Sequence, residues 1–408
     1  MRVLHLNTYS SGGSYEYAAL LSTALAERGT ESRVLCKDPP ATQGRSLLNR
    51  LIRRTSVSLS REPWHGTRRL LLPPAPEELA DVDVVHLHTV ADWFDVPKWL
   101  EKLPTRMGVV VSLHDMWHVT GGCFVYRGCD LFANTCRPCP ILRWPANRFL
   151  AADEQSRKLR AYHKCGARFI ANSQWLAEMA GRSAIAKACR GVRAIPPAID
   201  TTVFRPQDKT LCRKHLGMAA DAFVIVTGGA SLTDANKNVP WLLEQLSHLP
   251  DVSGVIVLAF GEGTVPVPDG LDVRFTGGIR DRNDLARLLS AADVFVSASQ
   301  METYGMALVE AMACGTPVVA FRVGGIPEAA PEGHGAMLCP LQDATALTEA
   351  ITRLRNSAHL RETLGAAGVE TVRARNQLSS FCAQFEAVYR ECVSVYKTAE
   401  CKESALVL

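Results

Sequence analysis

The chain has 408 residues, 47% hydrophobic and 21% charged, an ordinary balance for a globular protein long enough for two domains. Its formal net charge of +4 is too mild to argue for nucleic acid, and no apolar run approaches the roughly 20 residues a bilayer span needs. Thirteen cysteines, an odd and mostly scattered set, suit a reducing compartment better than a disulfide framework.

A β-branched apolar run predicts the first strand at Arg2–Asn7. A strand there, in place of a leader peptide, gives a cytoplasmic expectation. Ser10-Ser11-Gly12-Gly13-Ser14 follows, then a helix over Glu16–Arg28. Glycines at such a turn let backbone N–H groups approach an anion or a sugar. The three spaced glycines of a dinucleotide fingerprint are absent, and by itself the pair reads as a plain turn. A second strand is expected at Ser32–Cys36.

The stretch from Arg45 to Arg69 is basic: Arg45, Arg50, Arg53, Arg54, Arg61, Arg68 and Arg69, with Glu62 the only acid. Leu47, Leu48, Leu51 and Ile52 fall on one helical face. Two readings stand: an amphipathic segment making peripheral contact with anionic membrane, and a solvated helix packed on its domain. Asp81-Val82-Asp83 has the spacing of a carboxylate metal pair. It precedes a buried strand instead of ending one, so it reads as the start of strand Val82–His88. His86 and His88 belong to that strand and its exit.

The next strand, Gly108–His114, ends on a histidine followed by Asp115. A lone histidine is more often structural than catalytic, but the carboxyl end of a parallel strand is where ligands bind. His118 is a weaker candidate. Cys123, Cys129, Cys136 and Cys139 then cluster around a single Cys-x-x-Cys. They could make a structural tetrahedral zinc site, although the usual paired knuckle has two such elements; free thiols or a redox pair are the alternatives.

Strands at Arg168–Asn172 and Val192–Ile195 close the first half. Pro196 to Pro206, with three prolines and no helical period, marks a domain boundary. The second half has expected strands at Ala222–Thr227, Val255–Phe260, Val273–Thr276, Asp293–Ala298, Val318–Phe321 and Ala336–Leu338, with helices such as Pro240–Leu246 and Asp281–Ala291 between them. Strict alternation of this kind predicts two doubly wound α/β domains with parallel sheets. The expected division is 1–198, 199–378, a returning helix at 379–396 and a tail at 397–408.

Lys237 falls after the first strand of the second half, where a cation could neutralise a departing diphosphate. Glu302 sits in the loop at the carboxyl end of strand Asp293–Ala298. Glu310 sits about two turns into the following helix, Met306–Ala313, well placed to accept ribose hydroxyls. Both carboxylates also have a bland reading as solvated surface glutamates.

The segment DVFVSASQMETYGMALVEAMACGTPVVAFRVGGIPE resembles the E-x7-E signature of family-four glycosyltransferases, with Glu302 and Glu310 at its two glutamates. LHDMWHVTGGC resembles a bacterial polysaccharide-type subgroup with an HDMW-x-x-TGGC motif. IPPAIDTTVFRP is similar to the family's interdomain linker, with Ala198 for the usual glycine. The resemblance implies the GT-B fold, two Rossmann-like domains facing each other across a cleft, the first on the acceptor side and the second holding a nucleotide sugar. It implies that His114, Lys237 and Glu302 are catalytic. Gly12, Gly13, Ile279, Arg280, Tyr304, Gly305, Met306 and Glu310 would bind the donor.

The implied reaction is retaining transfer of a hexose from a nucleotide diphosphate sugar, UDP-linked in preference to GDP-linked, to a hydroxyl of a glycan or lipid-linked acceptor. No cofactor is implied for catalysis. Two departures stand out: Leu232 occupies the place of a phosphate-clamp arginine, and Asn238 that of a glycine after the lysine. Arg280 is the candidate substitute cation. A sugar-nucleotide epimerase on the same fold, or an inactive sugar-nucleotide-binding subunit, are the rival readings.

Overall fold

The structure is a computed structural model that describes residues 1–37, 64–67 and 72–404. The chain forms two units, Met1–Pro197 with the chain from Ser379 onward, and Ala198–Leu378. The arginines of the Arg45–Arg69 stretch, with Leu47, Leu48, Leu51 and Ile52, lie outside the described residues.

The first unit contains six strands: β1 (Arg2–Asn7), β2 (Glu31–Cys36), β3 (Val84–Leu87), β4 (Gly108–Leu113), β5 (Arg168–Ala171) and β6 (Val192–Ala194). They form one parallel sheet in the order β2-β1-β3-β4-β5-β6. The order reverses beside β1, so the loops after β1 and β3 flank the switch point where open α/β sheets bind ligands. Strand periodicity sorts the side chains. Leu4, Leu6, Val85, Leu87, Val109, Val111 and Leu113 share one buried cluster. The alternate positions His5, Asn7, His86 and Ser112 point to the other face and are also buried.

That polar face is covered by the helix Gly13–Glu27 and by the last helix, Leu378–Ser404. Phe381, Phe385, Val388 and Tyr389, spaced for one helical face, are all buried. Tyr17 meets Phe381 edge to face at 5.1 Å between ring centroids. The apolar spacing seen in the sequence is thus the anchor that returns the chain to the first unit. Burying each of these large side chains stabilises it by about 2 kcal/mol.

The second unit contains β7 (Phe223–Ser231), β8 (Val255–Glu262), β9 (Asp272–Gly277), β10 (Val294–Ser297), β11 (Val318–Phe321) and β12 (Ala336–Cys339). All pair in parallel, in the order β12-β11-β10-β7-β8-β9. Both faces are dry. Val224, Val226, Phe295, Val318 and Ala320 belong to one core cluster; Phe223, Ile225, Val294, Val296, Val319 and Phe321 belong to another. Two buried faces explain why these strands read as continuous apolar runs. The switch point lies between β7 and β10, and the two loops that carry Lys237 and Glu302 leave from it.

Each of the twelve expected strands is present, with ends shifted by up to four residues. The largest shift is β7, which runs on to Ser231 through a register irregularity between Gly228 and Ser231. Asp83 precedes β3 and accepts a hydrogen bond from the Arg2 backbone N–H at 2.8 Å, as befits a strand start. Among the described residues no helix is long and apolar enough to cross a membrane.

Candidate functional site

In the second unit the loops after β7 and β10 are laced together. The Gln300 N–H donates to the Asn236 carbonyl at 2.8 Å, and Asn236 Nδ2 donates to the Met301 carbonyl at 2.7 Å. This brings Lys237 Nζ to 2.5 Å from Glu302 Oε1. The lysine stem crosses Gly229, where an added Cβ would sit 3.4 Å from Lys237 Cε. On the glutamate side, Gly325 N–H donates to the Glu302 carbonyl at 2.9 Å. Gly324, at φ 54°, passes so close that any Cβ would collide with that carbonyl oxygen. The glycine pair of GGIPE therefore clamps Glu302.

Asn238 caps the helix Val239–Ser247 in a left-handed conformation, φ 55° and ψ 34°. The glycine that the family resemblance expects would serve the same turn. Asparagine is the non-glycine residue that best tolerates it, so the backbone need is met. The Asn236 amide oxygen is buried and finds no donor among the described residues.

Gly305, at φ 101°, caps the helix Met306–Ala313. Its carbonyl takes the N–H of Leu308 at 3.0 Å, while the N–H groups of Met306 and Ala307 find no acceptor among the described residues. An anion at this helix start would meet them and the positive end of the helix dipole. Ile279 and Met306 are half-buried against the same core cluster. The Tyr304 side chain is not offered to a ligand: it is 3% exposed, and its hydroxyl accepts from Asn376 Nδ2 at 2.8 Å. Any donor contact there falls to its backbone.

Glu310 is buried and its Oε1 accepts from Arg282 Nη2 at 2.8 Å. The Arg282 guanidinium also lies over the Phe204 ring, 4.6 Å from its centroid. Sequence reasoning fixed on Arg280, two residues earlier. Arg280 is exposed and makes no ion pair among the described residues, whereas Arg282 holds the signature glutamate. Leu232 is wholly buried in the apolar core, so the departure from arginine is built into the packing. Gly229, Asn236, Arg282 and Gly324 were missed because their roles depend on contacts distant in sequence.

In the first unit, Gly12 takes φ 90° before the helix Gly13–Glu27, and both glycines have open space where a side chain would be. His114 follows β4, and its Nε2 lies 3.0 Å from His88 Nδ1. Burial holds its imidazole down at about 4, so it is neutral at pH 7. Asp115 next to it is pushed up to about 6, chiefly by burial.

Cys123, Cys129, Cys136 and Cys139 line one cavity of about 300 Å³ together with apolar residues such as Met116 and Phe132. Burial raises the Cys123 thiol to about 12 and Cys136 to about 11. Among the described residues, the one group of three or more potential ligands whose atoms converge within 4.8 Å is His5, His86 and His88, not the cysteines. This arrangement does not fit a ready-made tetrahedral zinc site.

Comparison with known proteins agrees with the fold. Residues 11–203 match the family model described as Glycosyltransferase Family 4, and residues 222–357 match Glycosyl transferases group 1. D-inositol 3-phosphate glycosyltransferase of Actinosynnema mirum is 26% identical over 419 aligned positions, 94% of this chain and 95% of that protein. The same enzyme from Stackebrandtia nassauensis is 31% identical over 197 residues, 44% of each chain. That match, like the 40% coverage of the Mycobacterium marinum protein, spans less than half of the relative's length. Sucrose-phosphate synthase from Thermosynechococcus elongatus superposes with a TM-score of 0.68 at 22% identity, covering 97% of this chain and 99% of that one. Anabaena HepE, solved with UDP-glucose, superposes at 0.61 and 17% identity, covering 96% and 100%. With residues 11–203 matching one glycosyltransferase family model and residues 222–357 another, one on each unit, this chain has the two-domain GT-B fold and a sequence of the glycosyltransferase kind in both halves.

Proposed function

We propose that this chain is a retaining glycosyltransferase. It moves a hexose from a nucleotide diphosphate sugar, UDP-linked in preference, to a hydroxyl of a glycan or lipid-linked acceptor. The observation that carries the reading is the Lys237–Glu302 pair, held at 2.5 Å at the β7/β10 switch point. The UDP-glucose in the HepE structure and the transferase name of the Actinosynnema mirum relative support the donor class and the reaction type.

In this reading the diphosphate takes Lys237, whose charge offsets the negative charge that grows as the sugar leaves. The free N–H groups at Met306 and Ala307 take the other phosphate oxygens. Glu302, released from the lysine, accepts sugar hydroxyls. Glu310 accepts ribose hydroxyls from the position in which Arg282 holds it. Ile279 serves the base through its backbone, and Arg280, exposed and in no ion pair among the described residues, supplements the phosphate charge. Gly12 and Gly13 leave room for the donor phosphates or the acceptor, and His114 hydrogen-bonds the sugar. No side chain is assigned as the base; the leaving phosphate accepts the acceptor's proton on the same face.

A thermal-shift screen of nucleotide sugars tests the donor, because only a ligand of the folded state raises the midpoint. The best donor is then incubated with and without candidate acceptors. Transfer with the anomeric configuration kept supports the proposal. Donor turnover to an isomer without any acceptor would favour the epimerase. Binding without turnover under either condition would favour the inactive subunit.

A further inference from the structure

The polar face of the first sheet gathers four histidines by strand periodicity. His5 on β1 stands opposite His86 on β3, and His88 and His114 continue the same face. His5, His86 and His88 are completely buried. His114 Nε2 meets His88 Nδ1 at 3.0 Å, His88 Nε2 meets His5 Nδ1 at 3.0 Å, and His5 Nε2 meets Ser32 Oγ at 3.1 Å. The Ser32 hydroxyl donates to Ser22 Oγ at 2.9 Å. Ser32 lies on β2 and is partly exposed.

We propose that His114, His88, His5 and Ser32 form a proton relay that holds His114 in one tautomer and connects it to solvent at Ser32. A neutral imidazole donates through one nitrogen and accepts through the other. Three imidazoles joined Nε2 to Nδ1 must therefore share one tautomer. Because the Ser32 hydroxyl donates to Ser22, it accepts from His5, and the chain runs with every Nε2 protonated. His114 Nδ1 is then a hydrogen-bond acceptor. The rings are kept neutral by their burial, which holds His5 at about 3 and His88 well below its usual value.

The transfer balances. A proton gained at His114 Nδ1 is matched by one passed from its Nε2 to His88 Nδ1. Another passes from His88 Nε2 to His5 Nδ1, and a third from His5 Nε2 to Ser32 Oγ. The Ser32 hydroxyl then turns its original proton away from Ser22 Oγ and releases it to water at the exposed side of the residue. Neighbouring groups hold the path without joining it. His118 Nε2 lies 2.8 Å from the His88 carbonyl, which can only accept, so this ring is also Nε2-protonated. His86 bonds Tyr389 Oη and Ser112 Oγ, both at 2.8 Å. Tyr17 packs edge-on to His114 at 4.9 Å between ring centroids.

Three buried histidines also suggest a metal, and their nitrogens lie within 4.8 Å of one another. Each ring, however, already uses both nitrogens in hydrogen bonds. A cation would have to break these to find lone pairs.

The test uses the full chain with ¹⁵N-labelled histidine and long-range imidazole ¹H–¹⁵N correlation at pH 7. His5, His88 and His114 are expected to be neutral and all Nε2-protonated. Ser32→Ala removes the far acceptor, and His114 is expected to populate the opposite tautomer while His118 keeps its own. His5→Phe keeps a ring in place and should produce the same change. Mixed tautomers in the wild type, a charged ring at pH 7, or an unmoved His114 in both variants would overturn the relay. So would one equivalent of Zn²⁺ shifting His5, His86 and His88 together.

In turnover the chain of rings serves by holding the His114 tautomer that accepts a hydrogen bond from a sugar hydroxyl, since the leaving phosphate takes the acceptor's proton; this part rests on the transferase reading. There Ser32→Ala should lower kcat about three- to tenfold at constant donor KM, the loss of one hydrogen bond. An unchanged kcat with a flipped His114 overturns that part. A wild-type protein with the expected tautomers but no transfer refutes the transferase reading and leaves the relay standing.

Discussion

Lys237 Nζ lies 2.5 Å from Glu302 Oε1, and the two side chains reach each other from loops that leave adjacent parallel strands. Each neutralises the other before any ligand arrives. A diphosphate sugar must then replace one ion pair with two interactions, phosphate to lysine and hydroxyl to carboxylate. The exchange keeps both groups compensated, and neither is left as a bare charge.

Lys237→Ala should therefore damage turnover more than binding, because the lysine gains most where phosphate charge is developing. A fall in kcat on the order of 100-fold is expected, with donor KM moving far less. Initial rates across donor concentration separate the two. Glu302→Gln should also lower kcat, and the double variant should fall short of the product of the singles, since the two groups act on each other. Full kcat in Lys237→Ala would remove the lysine from the phosphate site.

Arg282→Ala should cost stability. It removes the Arg282 guanidinium from the buried Glu310 carboxylate, and breaking such pairs is strongly destabilising. Arg282 is about one-third exposed, so on the order of 2 kcal/mol is expected, less than for a fully buried pair. Chemical denaturation of the two proteins reads this directly. Arg282→Ala combined with Glu310→Gln should recover part of the loss, because no uncompensated charge remains. Donor affinity should fall in Glu310→Ala by about 1.5–3 kcal/mol if the carboxylate serves the ribose. An unchanged affinity would take it off the ribose.

The strands were legible because both faces of the second sheet are buried, which writes apolar β-branched runs into the sequence. Glu302 and Glu310 were singled out by the resemblance of their segment to the E-x7-E signature, since their place after a strand and in a helix also fits solvated glutamates. Their partners were not. Arg282 and Arg280 sit in one short polar stretch, and only the packing of helix Arg282–Ala291 decides which arginine faces Glu310. Leu232 looked like a lost cation, but its apolar environment appears only once β7 and the helix Val239–Ser247 are folded. The histidines were read singly. His-Leu-His puts two of them on one face, yet their meeting with His5 and His114 needs the strand order β1-β3-β4.

Asn238 offers a test of backbone need without touching charge. Its left-handed conformation is one that β-branched residues avoid. Asn238→Gly should be close to neutral in stability and keep the Lys237 loop in place. Asn238→Val should lose about 1–2 kcal/mol, because the turn must adopt strained backbone or refold. Under the transferase reading it should also lose turnover, since Lys237 precedes the strained residue. Thermal melts with kinetics on both variants check this. A valine variant as stable and active as the wild type would show that the turn can change without consequence.

The buried histidines should make the protein sensitive to mild acid. The unfolded imidazole titrates near 6.5, but in the fold burial holds His5 and His118 at about 3 and His114 at about 4. Between those values the unfolded chain binds protons that the folded chain refuses. The histidines' contribution to stability is thus complete above about pH 6.5 and is lost as pH falls toward 4 and 3. Asp115 acts in the opposite sense. Its carboxyl, raised from 3.8 to about 6, binds a proton in the fold that the unfolded chain lacks, so it favours the fold on the acid side. One such group offsets one histidine, and the net slope keeps the histidine sign. His86, His88, Tyr17 and Tyr389 also face these rings. The two histidines are held well below their usual range and reinforce the effect, while the tyrosines, raised by burial, stay neutral throughout. Denaturant titrations from pH 4 to 8 should show stability rising with pH through the imidazole range to about 6.5, and continuing to rise above about 7 because burial lowers Lys158 to about 7 and the unfolded lysine keeps its proton. His5→Phe should reduce the slope by about 1.4 kcal/mol per pH unit, the weight of one proton. Equal slopes in the two proteins would mean that His5 carries its proton in the folded state.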